Sequence, residues 1–543
     1  MSGTAALVVA PRMPAAGVLL VAGILLAALT EAIAGTVLAF GRSDIMGDAH
    51  ATPDEFAWLD VGYTALKLIG FMTAPWLMSR FHWRRVIIGA TLTMGLACGL
   101  AAVTARLDLL VALRLVQGFA GGTLLVGGQT LLFLACPRAR QPFLQALFAM
   151  GAVVTPASLA PALQGWLVDS QSWAWIFFSV VPLALAAAGL LLMADGEIPV
   201  ATPRPLDWIG FALLSLALGC FSYVLGQGSR WDWFEEPHVL WLSLAGGASL
   251  LAFLGQQGMA GGRGLLDFDL FRSSDFSFAF IVSFVAGAAL FGSAYLIPAF
   301  ALSVVGFTPT DGGLLLLPSG ALFIGALLVA AYLMQVRGVA PFATVPFGIL
   351  MIMVAMWMLS GSTLESGADD MMAAVLLRGL GLGFLFLSIT LIAFSDLDRR
   401  HLACGIGLFN TGRQLGGLLG VAALQTLIDQ HVVANGAVLG ANLGTGGAAL
   451  IERLTNTSAM LALKGMDAAA ANQAATSLLG RAVTGQSTVI AFDTAFNAVA
   501  LLFVFAAPLL VGIKIGFAKY AKAHAARTET QDGPPPARAA GKR

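Results

Sequence analysis

Apolar residues run along this chain in long blocks, and polar residues are confined to the short stretches between them. With a membrane-crossing helix taken as roughly twenty residues, blocks at 15 to 40, 57 to 78, 86 to 104, 107 to 134, 143 to 168, 173 to 194, 207 to 228, 238 to 257, 276 to 304, 311 to 335, 341 to 361, 371 to 394, 402 to 429 and 490 to 516 predict fourteen spans. A few residues break the pattern inside the blocks. Arg114 sits within one, followed by Gln117, Gly118, Gly121 and Gly122, and the next block carries Pro156 and Pro161. A charge inside an apolar helix costs about 3 kcal/mol or more, so it faces a partner or a wet cavity. Glycines at this spacing let a neighbouring backbone approach. A broken membrane helix is tolerated where it borders protein or a cavity. The pattern predicts a moving, solvated pathway rather than an anchor.

Composition fixes the class. Of 543 residues, 58% are hydrophobic and 11% charged, with 29 basic and 29 acidic side chains in balance. That leaves too little polar surface to cover a soluble core, so the fold class is an all-α polytopic membrane protein. No concentrated basic face exists to hold nucleic acid. Cys98, Cys136, Cys220 and Cys404 show no metal-ligand spacing and read as packing residues. No phosphate-binding loop, nucleophile or cofactor motif is present, so neither an enzyme nor an ATP-driven pump is expected, and no metal or cofactor. Arg12 ahead of the first block resembles a signal sequence, but the block is long enough to be a retained span. With a cytoplasmic N-terminus, nineteen basic residues fall in cytoplasmic segments, six on the opposite side and four inside spans. The positive-inside rule therefore predicts that both termini are cytoplasmic.

The predicted organisation is a six-helix lobe over 1 to 195, two inserted helices over 196 to 275, and a second six-helix lobe over 276 to 518. Residues 430 to 489 form an external segment, either a linker or a docking element, and the Pro-containing tail from 519 to 543 reads as disordered. A weak repeat links the lobes. Arg114 precedes Gly118 and Gly121, as Arg378 precedes Gly379, Gly381 and Gly383, and duplicated halves around a central site are how many secondary transporters are built.

All six histidines fall in loops or the tail, so carboxylates are the better proton carriers. Glu31 is the clearest intramembrane acid. It pairs structurally with Lys67 at similar depth, couples to protons, or does both when protonation breaks the pair. Lys67 faces a wet cavity or serves as counter-ion to an anionic substrate. Arg114 holds a nearby acid ionised or bonds carbonyls at the broken fifth span. Phe280, Phe284, Phe291 and Tyr295 mark one face of the ninth span and suit lipophilic aromatic or cationic compounds, although such a stripe also serves packing. Gln117, Gln129 and Gln164 could add hydrogen bonds.

These residues resemble the major facilitator superfamily, in particular its fourteen-span drug:proton antiporter branch of the multidrug resistance protein B type. The resemblance rests on Arg114 to Gly122, Trp173 to Pro182, Asp207-Trp208, Trp231 to Phe234, Leu265 to Arg272, Ile297-Pro298, Gly306 to Pro309 and Asn410 to Gly417. It covers roughly Gly17 to Ile515. It implies two six-helix lobes plus two inserted helices, a proton-relay role for Arg114 beside Glu31, and a cavity lined by the first, fourth, ninth and twelfth spans, which would include Arg378. It implies structural or gating roles for Arg80, Arg84, Gly118, Gly122, Pro156, Pro161, Gly165, Asn410 and Arg413. The chain also departs from the family pattern. Pro75, Ser79, Arg80 and His82 stand where the loop after span two usually carries glycines and an Asp-Arg pair, Ala160-Pro161 and Gln164-Gly165 replace the span-five pairs, and Thr30 stands where many members place an acid, with Glu31 one residue on.

The expected function is proton-coupled efflux of amphipathic or hydrophobic small molecules by alternating access. The alternatives are a dedicated exporter of one endogenous metabolite or organic acid, which Lys67 with Arg114 would suit, and a non-transporting membrane sensor. The implied partners are a small-molecule substrate, protons and membrane lipid, with a periplasmic adaptor protein as a candidate at the external segment. The implied location is a bacterial inner membrane.

Overall fold

The computed structural model describes residues 15–194, 205–259, 264–266, 270–271, 273–394, 397–443 and 447–531. Expectations resting on Arg12, on the linker 195 to 204, on residues 267 to 269 and 272 of the motif before span nine, and on the tail 532 to 543 lie outside them. Helices are the only regular structure among the described residues. In the first half they are α1 (Ala15–Thr36), α2 (Leu38–Asp48), α3 (Pro53–Arg80), α4 (Trp83–Ala102), α5 (Leu107–Ala135), α6 (Gln141–Ala149), α7 (Ala160–Ser170) and α8 (Ala174–Met193). Next come α9 (Trp208–Gln227) and α10 (Pro237–Met259). The second half holds α11 (Ser274–Phe300), α12 (Pro309–Gln335), α13 (Val345–Leu359), α14 (Ala368–Phe394), α15 (Leu402–Asn442), α16 (Ala448–Leu463) and α17 (Ala468–Gln531).

Thirteen of the fourteen predicted spans are long and apolar enough by composition to cross a membrane. The fourteenth, α3, is 28 residues long but carries Asp60 and Lys67 in its interior and so falls below that hydropathy. It is nevertheless central, lying against α5, α9 and α15. Its start is well signalled: Thr52 Oγ1 accepts from Glu55 N while Glu55 Oε2 accepts from Thr52 N at 2.9 Å, a reciprocal cap ahead of Pro53.

The helix pairings occur twice. α5 lies on α3 and α4 in the first half, as α14 lies on α12 and α13 in the second, and α4 on α8 is matched by α13 on α17. The halves meet where α12 crosses α6, α7 and the segment between them, and where α15 crosses α3 and α5. The inserted α9 and α10 lie against each other, with α9 also on α3 and α15. Pro156 sits in a π-helical stretch, Met150–Leu159, that joins α6 to α7. The proline removes a donor and the wider winding keeps the helix continuous, so the predicted break is a local rewinding.

Two expectations change in the second half. Residues 430 to 489 are mostly helical: α15 runs on to Asn442, α16 follows, and α17 begins at Ala468. Gly440 lies within α15. The tail is helical from 519 as far as Gln531, because α17 continues without a break.

Asp207 caps α9 and ties it to α10. Its carboxylate accepts from Gly210 N at 2.9 Å, Gln256 Nε2 at 3.0 Å and Gln257 Nε2 at 2.7 Å. Partial burial pushes its pKa up, and the hydrogen bonds outweigh it, so the net shift is downward from 3.8. A depressed pKa contributes stability above the ordinary value that is lost as pH falls through the shifted one. Asp207→Ala should cost about 1 kcal/mol at neutral pH and nothing at pH well below 3.8, read from denaturation midpoints at both pH values.

Candidate functional site

Glu31 is the centre of the site. It lies in α1 with its side chain 3% exposed, and its Oε1 accepts from Tyr63 Oη at 3.0 Å and meets Lys67 Nζ at 2.5 Å. Tyr63 and Lys67 are four residues apart on α3 and so share a helix face. The Lys67 ammonium also lies 5.7 Å from the Tyr63 ring centroid and 6.0 Å from that of Phe71. The Tyr63 ring also carries Arg114, whose guanidinium carbon lies 4.0 Å from the centroid.

Arg114 is 1% exposed and is held by backbone oxygens and a side-chain amide: Nη1 donates to Ala34 O at 2.7 Å and to Gln117 Oε1 at 3.1 Å, and Nε donates to Leu59 O at 3.3 Å. Asp60 lies within its electrostatic reach. Arg114 does bond carbonyls, but these belong to α1 and α3 rather than to the broken fifth span. Lys67 likewise has Glu31 as its partner.

Glycines set these distances. An added Cβ at Gly118 would strike Tyr63 O, one at Gly122 would strike Lys67 O, and one at Gly121 would come within 2.7 Å of Glu31 Cγ. The three therefore let α5 lie directly on α3 and α1, and only their lack of a side chain permits it.

A polar chain crosses between the halves. Arg413 Nη2 donates to Asn410 Oδ1 at 2.7 Å, Asn410 Nδ2 donates to Gln129 Oε1 at 3.3 Å, and Gln129 Nε2 donates to Gln145 Oε1 at 3.2 Å. Gln145 passes to Gln141, which donates to Leu132 O and Cys136 O at the end of α5. Gln129, expected among substrate contacts, thus joins the two halves. Gln164 donates to Ile33 O and Thr36 Oγ1, fixing α7 to α1.

Arg413 lines a narrow cleft with Ser283, Ala286, Leu290, Leu382, Phe386 and Phe409, among others, of only about 20 Å³. The α11 side of this cleft is Ser283, Ala286 and Leu290. None of Phe280, Phe284, Phe291 and Tyr295 lines it. Phe280 stands where a Cβ on Gly412 would go, Phe291 does the same at Gly417, and the Phe284 backbone meets Gly416. This face of α11 packs rings and backbone onto the small residues of α15, the packing role that such a stripe also serves. Arg378 is fully buried and donates from Nε to Ser293 Oγ at 2.9 Å, outside the cleft lining.

The gating candidates are spread over both ends. Gly165 meets the Pro309 backbone at the start of α12, and Gly313 meets the Pro161 backbone in return. Beside them Asp169 Oδ2 accepts from Thr310 N at 2.9 Å and from its hydroxyl at 2.5 Å. At the other end, α5 and α14 touch through Phe133 and Phe394, 5.6 Å between centroids. Arg80 and Arg84 flank the turn between α3 and α4, far in sequence from both contacts. Sequence reasoning missed Tyr63, Gln141, Gln145 and Asp169. Tyr63 had a usable signal, four residues before Lys67 in one predicted span. The glutamines and Asp169 had none, because their roles depend on which helices meet.

With this geometry established, comparisons with known proteins define the class. The family model described as Major Facilitator Superfamily matches residues 20–421. The chain belongs to that superfamily and is a multi-pass membrane transporter. It is similar to the multidrug resistance protein B homolog of Mycobacterium tuberculosis, 26% identical over 415 residues covering 76% of each chain. It is 25% identical to the multidrug export protein EmrB of Escherichia coli K12 over 411 residues, 74% of this chain and 78% of that one. It is 24% identical to the fatty acid resistance protein FarB of Neisseria gonorrhoeae over 491 residues, 89% and 94% of the two.

Proposed function

We infer that this transporter exports amphipathic or hydrophobic small molecules in exchange for protons moving inward, by alternating access. The observation that carries the reading is Glu31, a buried carboxylate bonded at one oxygen to both Tyr63 and Lys67 of α3, the helix that lies against α15 of the other half. The similarity to the multidrug export protein of Escherichia coli supports it. When Glu31 is ionised, Lys67 is paired. Protonation removes that charge, and breaking one side of a buried pair is unfavourable by about 3–5 kcal/mol. That energy is enough to bias the halves between two arrangements. The cleft at Arg413, about 20 Å³, holds little more than a water, while ligand sites run to roughly 300–1,000 Å³. Substrate entry therefore requires the halves to part, and the bonds at Asp169 and Asn410 are those that must break.

In this reading both termini are cytoplasmic, the membrane is the bacterial plasma membrane, and the helical extension around α16 is where a periplasmic adaptor docks. Deleting 447 to 463 should then reduce efflux to the medium in cells with two membranes; unchanged efflux would rule the adaptor out. The transport reading itself is tested in proteoliposomes with an internal pH dye, adding lipophilic cations, neutral aromatics and amphipathic acids. At least one class should drive proton movement that protein-free vesicles lack. No movement with any class would overturn it.

A further inference from the structure

A second cavity lies away from the polar site. It is a groove of about 560 Å³ on the outer side of α3, α4 and α5, lined by Leu66, Leu77, Val86, Leu115, Val116 and Phe119 over a floor that includes Gly89, Ala90 and Ala120. It opens sideways, where Gly89, Thr93 and Val116 are exposed. Exposed Leu92 and Leu96 on the same helix mark this as a membrane-facing surface. On α3 it runs from Leu66 to Leu77, eleven positions apart and about 16 Å at the helical rise. That matches one leaflet of hydrocarbon, about 15 Å.

One end of the groove is polar. Exposed Arg85, in the first turn of α4, lines it beside exposed Phe81, and exposed Arg80 ends α3 next to them. No carboxylate lines the groove. This is the turn in which the sequence carries Ser79 and Arg80 and no acid between Pro75 and Arg85. A leaflet-length apolar trough ending in a guanidinium complements one kind of molecule, an acyl chain with an anionic headgroup.

We propose that the groove holds an acyl chain of an anionic phospholipid, with its phosphate at Arg85. The lipid supports the α3 and α5 pairing from behind, since Phe119 and Thr123 of the groove alternate on α5 with the glycines that hold Tyr63, Lys67 and Glu31 in register. The site is separate from the transport reading and stands if that reading fails.

The test is native mass spectrometry of protein released from nanodiscs of equal phosphatidylcholine and phosphatidylglycerol. Wild type is compared with Arg85→Ala, which removes the headgroup partner, and Gly89→Leu, which fills the trough at a position where a Cβ meets nothing within 4 Å. Wild type should retain phosphatidylglycerol over phosphatidylcholine. Arg85→Ala should lower that retention about fivefold, as loss of one basic contact implies, and Gly89→Leu should lower it at least as much. Equal retention of the two lipids, retention unchanged in both variants, or displacement of the lipid by an exported compound would each overturn the proposal.

Discussion

Glu31→Gln combined with Lys67→Met is expected to reduce substrate accumulation against a gradient to that of protein-free vesicles, while exchange of labelled for unlabelled substrate across the membrane continues. The single change would leave Lys67 buried at 14% exposure without the charge it meets at 2.5 Å, which itself destabilises the protein. The double variant removes both charges. The amide introduced in place of the Glu31 carboxylate keeps an oxygen for the Tyr63 hydroxyl, so the packing of α1 on α3 is retained. What is lost is the group that takes up a proton on one side and gives it up on the other. Proton-driven accumulation in the double variant, measured as radiolabel retained under an imposed pH gradient, would place the coupling elsewhere.

The second large effect is structural. Gly122→Val should lower stability by about 3 kcal/mol, at the upper end of overpacking costs, because its Cβ would lie against a backbone oxygen of Lys67 that cannot rotate away. Gly118→Val should act similarly through Tyr63 O. Gly247→Val in α10, where an added Cβ meets nothing within 4 Å, is the matching control and should leave the melting temperature nearly unchanged. Thermal unfolding of detergent-purified protein separates them. If Gly122→Val melts with the control, the close approach of α5 to α3 is not what holds the site together.

These two predictions mark where the sequence was legible. Hydropathy located the membrane helices because a bilayer demands about twenty apolar residues whatever the neighbours. The predicted span with the lowest hydropathy, α3, is the one that carries Tyr63 and Lys67, since Asp60 and Lys67 depress its apolar average. Glu31, Lys67 and Arg114 stood out for the same reason, as charges that insertion penalises, and Gly118, Gly121 and Gly122 could be read as a close-approach surface. The identity of what approaches could not be read. That Arg114 bonds Ala34 and Leu59 oxygens, that Gln129 reaches Asn410, and that Asp169 accepts from Thr310 are contacts between segments separated by 55 to 281 positions. The aromatic stripe of α11 shows the limit most clearly. The structure sets the rings of Phe280 and Phe291 against Gly412 and Gly417 of α15, a setting that a single-helix pattern does not distinguish from a cavity wall.

Glu31 is proposed to exchange its proton for substrate. The most direct measurement mixes purified transporter with an exported compound in weakly buffered detergent solution and follows a pH indicator. Wild type should release protons on binding, and the Glu31→Gln, Lys67→Met double variant should bind the compound with no release. Equal proton release from both proteins would contradict the assignment.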